Sequence, residues 1–207
     1  MAPLTDAGPG EAVGDRARRL YVGQSRIDIT RRASTERITS DASLARAVAT
    51  ALLAAGAPMP ASVALVLTDD EELGELNRAH LGKRGPTDVL SFPMLTTGSY
   101  PPHPGQPATV AADASASLGP PRRPGRGRAP RTHVGDIAIS VERAVEQART
   151  GHGGQTGDVR WSPADELRLL ATHGTLHLCG WDHAERDEEA AMRALERTLL
   201  AVGARRP

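Results

Sequence analysis

The sequence predicts an α+β fold: a four-stranded mixed sheet packed with about five helices, with a metal site on one helix and the turn that follows it. Three observations lead there. Short apolar or alternating runs of strand length are interleaved with longer segments of helical period. Capping residues mark the helix starts and glycines mark the stops. Hydrophobic residues make up 39% of the 207-residue chain and aromatics only 2%, which is enough for one core built of Leu, Val, Ile and Ala.

Taken in order, residues 1–22 are rich in Gly, Pro, Ala and charge and read as a disordered N-terminal extension. The domain is expected over residues 23–203. "SRIDIT" (25–30) alternates apolar and polar residues and predicts a strand. Residues 40–56 place Leu44, Val48, Leu52 and Leu53 on one helical stripe, with Ser40 as cap and Gly56 as stop. "SVALVL" (62–67) predicts a buried strand. Thr68 and Glu71 form a capping-box pattern ahead of the helix "DDEELGELNRAH". "TDVLSF" (87–92) and "GDIAIS" (135–140) are two more strands, and 141–150 a helix. Ser162 and Pro163 stand in the preferred cap and first-turn positions of a helix that runs to Gly180. An amphipathic helix over roughly 184–202 closes the domain.

Between the third and fourth strands, residues of about 97–131 are full of turn formers and have no apolar period. They read as a disordered Pro/Gly/Arg-rich surface insertion. Its end carries Arg122, Arg123, Arg126, Arg128 and Arg131, an arm able to neutralise phosphates without reading sequence. The alternative is a plain spacer.

The formal net charge is zero, so there is no global pull toward nucleic acid or an anionic membrane. Basic residues are nearly all Arg; Lys83 is the sole lysine. Cys179 is the single cysteine, which excludes a disulfide framework and fits a reducing cytoplasm. No apolar run is long enough for a membrane helix, and the N-terminus lacks the apolar core of a secretory signal.

The chemistry concentrates in "HGTLHLCGWDH" (173–183). His173 and His177 are four apart and share a helix face. Gly180 ends the helix and lets the chain return with His183. Three imidazoles can hold one zinc ion with the fourth position left for water, the arrangement of catalytic rather than closed structural sites. Cys179 lies about 200° round the helix from His177 and is not expected to be a ligand. The spacing is also that of the long zinc-protease signature, but the position of that signature's general-base Glu is Gly174. A metallopeptidase of that type therefore lacks its proton acceptor. Asp182, directly before His183, either orients a histidine or starts the turn. Asp136 in "GDIAIS" either supports the site or is a turn residue at the start of its strand.

"HGTLHLCGWDH", together with "LNRAHLGKRGPTDVLSFP" (76–93) and "GDIAISVERAVEQA" (135–148), resembles the YbeY endoribonuclease family, over roughly residues 24–96 and 132–202. The resemblance implies a small α+β metalloprotein with zinc on His173, His177 and His183, cleaving single-stranded RNA. It also implies maturation of the 3′ end of small-subunit rRNA, ribosome quality control and, as partners, rRNA and the small ribosomal subunit. Many relatives carry a Tyr-Arg pair where this chain has His80-Leu81, and that Arg serves RNA. Arg78, Lys83 and Arg84 are the nearby cations to take its place. Two other readings are a metallopeptidase-like hydrolase and a non-catalytic ribosome-assembly factor with a structural metal.

Overall fold

A computed structural model describes residues 14–82, 87–106, 130–150 and 162–204. The sheet has five strands: β1 (Arg16–Val22), β2 (Ser25–Arg31), β3 (Ala61–Thr68), β4 (Val89–Pro93) and β5 (Thr132–Ser140). Their order across the sheet is β1-β2-β3-β5-β4. The inner three are mutually parallel, while β1 and β4 run antiparallel at the edges. The helices are α1 (Asp41–Ala54), α2 (Asp70–Leu81), α3 (Val141–Thr150), α4 (Pro163–Leu178) and α5 (Arg186–Ala204).

The parallel inner strands explain the near-continuous apolar runs of β3 and β5, because helices cover both faces. One face is the main core. Ile27 and Ile29 of β2, Val63 and Leu65 of β3, and Ile137 and Ile139 of β5 bury there with Leu44, Val48 and Leu52 of α1 and Leu167, Leu170 and Leu176 of α4. The other face is smaller: Leu73 of α2 closes on Leu90 and Ala138. α5 lies outside, with Met192 in the main core.

Three sequence expectations change. Residues 16–22 are a strand and not part of a disordered extension, so the sheet has five strands where four were expected. "RARRLYV" has no helical or strand-like apolar pattern because it is an edge, paired on one side only, and arginines there discourage further strand pairing. The cap of α2 is Asp69, whose carboxylate accepts the Glu72 N–H at 3.0 Å, one residue later than the Thr68–Glu71 pattern. Thr68 instead donates its hydroxyl to the Glu72 carboxylate.

The start of the expected insertion is also structured. A 3₁₀ turn covers Thr97–Ser99, Tyr100 is buried, and its hydroxyl donates to the Leu178 carbonyl at 2.9 Å. Arg122, Arg123, Arg126 and Arg128 lie outside the described residues, while Arg131 is tied down. Its guanidinium sits over the Tyr21 ring at 5.2 Å and donates to the Gln24 carbonyl.

Candidate metal centre

α4 begins with the expected cap. The Ser162 hydroxyl accepts the Asp165 N–H, the Asp165 carboxylate accepts the Ser162 N–H, and Pro163 follows the cap. The helix then crosses the sheet so closely that a side chain at residue 174 would have to displace its neighbours. A Cβ there would stand 2.9 Å from Ile137 Cγ2, 3.1 Å from Val89 Cγ2 and 3.1 Å from the Ser91 hydroxyl. That hydroxyl donates to the Gly174 carbonyl at 3.0 Å. This position packs against the sheet, so a carboxylate here has no room. The metallopeptidase reading loses its general base by packing as well as by sequence.

About 80° round α4 from Gly174, at 100° per residue, His173 and His177 meet His183, and one ligand atom from each of the three lies within 4.8 Å of the others. Gly180, at φ +82°, turns the chain back as expected. Two hydrogen bonds fix the imidazole tautomers. His177 Nδ1 lies 2.9 Å from the Trp181 carbonyl. A carbonyl only accepts, so Nδ1 carries the proton. His173 Nδ1 likewise donates to Glu196 Oε1 at 2.7 Å. In the neutral rings both Nε2 atoms are then bare lone pairs, and they face each other at 3.0 Å. Two such lone pairs repel unless a cation lies between them. Ligand nitrogens of a tetrahedral zinc ion stand roughly 3.3 Å apart, so the residues present fit a metal ion. Burial, with His173 and His183 close by, pushes the His177 pKa down to about 4, which keeps it in the neutral, ligating form.

The setting is graded from dry to wet: His173 is 8% exposed, His177 half-buried and His183 exposed. The triad is therefore anchored on the helix side and open on the solvent side. A small pocket of about 120 Å³ beside it is lined by His173, His183, Met192, Glu189 and Arg193. Arg193 Nη2 pairs with Glu189 at 2.6 Å, while its Nε is buried without a hydrogen-bond partner among the described residues.

The other predicted site residues distribute unevenly. Asp182 accepts the His183 N–H at 2.8 Å and donates its own N–H to the Gly105 carbonyl at 2.7 Å. It holds the backbone at His183 and bonds no imidazole. Asp136 is not beside the metal helix. Its neighbour Ile137 faces Gly174, so strand alternation turns Asp136 to the other face of the sheet. There it pairs with His133 at 2.9 Å. Arg78 is exposed on α2, the helix covering that other face, and is not among the residues lining the histidine pocket. Lys83 and Arg84 lie outside the described residues. Cys179 is buried away from the triad, and burial pushes its thiol up to about 12, far from the thiolate a ligand needs.

Sequence reasoning missed Glu196 and Arg193. The signal for Glu196 was present: it falls one turn after Met192, on the inward stripe of α5, where an unpaired carboxylate is expensive. It is 1% exposed. Residues 100–106 were missed as well. His103 stacks on the Trp181 ring at 4.3 Å between centroids, bracing the turn that carries His183.

Fold and site together define a small α+β protein with a three-histidine centre able to hold one metal ion. Comparison with known proteins narrows this. The family model for endoribonuclease YbeY matches residues 28–202. The endoribonuclease YbeY of Salinispora tropica is 40% identical over 142 residues, 68% of this chain and 73% of its own. That of Chloroflexus aurantiacus is 37% identical over 170 residues, 81% and 90% of the two chains. That of Moorella thermoacetica is 39% identical over 164 residues, 79% and 86%. The chain belongs to the endoribonuclease YbeY family.

Proposed function

We propose that this protein is a zinc-dependent, single-strand-specific endoribonuclease acting in the cytoplasm on the small ribosomal subunit, where it matures the 3′ end of the rRNA and serves ribosome quality control. Family membership supports the reaction class. The observation that carries the metal dependence is the 3.0 Å approach of two bare Nε2 atoms, His173 and His177, beside His183. His173, His177 and His183 would hold the zinc ion, which when bound would supply Lewis acidity toward phosphate and an activated water for hydrolysis.

The protein's own groups divide the remaining work. Glu196 and the Trp181 carbonyl hold two imidazoles in the ligating tautomer. Asp182 fixes the backbone from which His183 projects. Arg193 supplies positive charge beside the triad, the role left open by Leu81, and its planar fork suits phosphate oxygens. The exposed side of the site, at His183, admits a flexible strand more readily than a stiff duplex.

The test is cleavage of matched single- and double-stranded RNAs by the purified protein, with its metal content measured. His173→Ala and His177→Ala are expected to lose both metal and cleavage. Full cleavage and full metal content in both variants would sink the reading. A structural share for the metal is favoured by one observation: the His173–Glu196 bond ties α4 to α5. If the metal is structural only, chelation lowers the melting temperature and the metal-loaded protein cuts nothing.

A further inference from the structure

At the sheet edge formed by β1, far across the strand order from β4, arginines gather on one face. Arg16 stands directly opposite Arg31, and Arg18 opposite Ile29. Directly opposed residues of an antiparallel pair project to the same face. Ile29 is in the main core, so Arg16, Arg18 and Arg31 stand on the side that α1 covers. With Arg32 and Arg37 they line a pocket of about 440 Å³ in which Asp41 is the only acid among the described residues.

The ion pairing of this cluster is incomplete. Arg31 gives its Nε to Asp41 at 2.6 Å and its Nη2 to the Thr39 carbonyl at 2.8 Å. Arg18 reaches the other Asp41 oxygen at 3.5 Å. Arg32 is held by Glu72 and Asp15. The side chains of Arg16 and Arg37 have no partner among the described residues. Arg31 is only 7% exposed, yet its Nη1 is buried without an acceptor. A buried charged donor left unmatched is costly, and like charges placed directly opposite each other add to that cost. The first turn of α1 adds its own partial positive charge at Asp41. Negative charge spread along this edge would offset these costs.

We propose that this pocket is a second phosphate-binding site, which grips the backbone of the RNA at a distance from the histidine triad. The inference rests on the RNA-cleaving reading above. Guanidinium forks match phosphate oxygens. No aromatic ring lines the pocket among the described residues, so none of them offers a platform on which a base stacks, and the contact proposed is with the backbone. Arg16 and Arg18 are two residues apart on an extended strand, about 6.6 Å. They follow an edge and do not converge on one point, which suits a chain of phosphates better than one small anion.

The test is a paired Arg16→Glu, Arg37→Glu variant; both residues are exposed and neither breaks an ion pair. Binding of a single-stranded RNA of about 20 nucleotides is measured across a salt series, with melting as the fold control. Affinity is expected to fall about tenfold or more at low salt. The slope of log K against log salt is expected to shrink by roughly 1.4, two contacts at about 0.7 each. If the reversal unfolds the protein, an Arg16→Gln, Arg37→Gln pair answers the same question. Unchanged RNA affinity and slope overturn the proposal. So does inorganic pyrophosphate that binds the parent and not the variant while RNA binding is equal in both, since the pocket then serves a free phosphate. A parent protein that binds no RNA overturns this inference and the proposed function together, whereas a parent that cuts RNA beside an equally binding variant overturns this inference alone.

Discussion

His173, His177 and His183 converge on a centre that could hold one metal ion, and the residues behind them orient two of the imidazoles. Glu196 is the partner that fixes the His173 tautomer, so Glu196→Gln is expected to weaken zinc binding on the order of 10- to 100-fold. Competition with a calibrated chelator reads this directly, and a retained melting temperature separates lost orientation from lost fold. An unaltered zinc affinity would show that Glu196 only fills space. Arg193→Ala is expected to leave zinc bound and to slow RNA cleavage by about 100-fold, with partial recovery in Arg193→Lys. Equal turnover in parent and Arg193→Ala would remove Arg193 from the mechanism. The convergence of the three histidines was legible in the sequence because a helix places i and i+4 together and Gly180 returns the chain locally. The inward stripe of α5 marked Glu196 as buried, but which histidine it meets, and the approach of Arg193, depend on how α5 docks, and no local spacing encodes that. Asp136 misled for a related reason: its motif adjoins the site in the fold, but strand alternation sends the side chain to the other face.

At the scale of elements, α4 does two jobs, and they meet at Gly174. At that residue a Cβ would crowd the sheet, while the adjoining stripe of α4 carries His173 and His177. Alanine is a better helix former than glycine by about 1 kcal/mol. Here the obstructing atoms belong to Ile137 and Val89, which their strands hold in place, and overpacking costs about 1–3 kcal/mol. Gly174→Ala is therefore expected to lower stability, read as a fall in melting temperature; a rise would mean that α4 shifts outward at little cost. The start of α4 holds a second strain. Glu166 is 1% exposed, and burial, with Asp88 and Asp165 nearby, raises its pKa from 4.5 to about 7. A raised carboxyl pKa means that the folded protein binds the proton more tightly than the unfolded chain. The stability is then fully present below about pH 4.5 and falls as pH rises through 7, by on the order of 3 kcal/mol. Glu166→Gln is expected to flatten that window in denaturant titrations from pH 4.5 to 8. A slope equal to the parent's would place the proton elsewhere. The capping of α4 was readable from Ser162 and Pro163, but the cost at Glu166 was not, since it comes first from burial by tertiary packing and then from the charges of Asp88 and Asp165.

At the scale of the whole molecule, the sheet links two working regions: the histidine centre where α4 crosses β4 and β5, and the arginine pocket at the β1 edge. The inner strands and all five helices were legible because burial on two faces leaves long apolar runs and helical stripes. β1 was hidden because an edge strand needs few apolar residues, and its arginines read as disorder. Removing residues 1–22 is expected to uncover Ile27 and Ile29, which are buried beside β1, and to lower the melting temperature or cause aggregation. An unchanged melt would make β1 dispensable. Residues 100–106 were hidden because their order comes from Tyr100 and His103 meeting α4 and its turn, far away in sequence. No helix among the described residues is long and apolar enough to cross a membrane. The central claim is that the triad holds a catalytic metal for RNA hydrolysis. It is tested most directly by treating the purified protein with chelator, then restoring zinc in measured steps while following cleavage of a single-stranded RNA. Cleavage is predicted to vanish on chelation and to return in proportion to zinc up to one ion per chain, with no return in His177→Ala. Cleavage that persists in metal-free protein, or returns equally in His177→Ala, would contradict it.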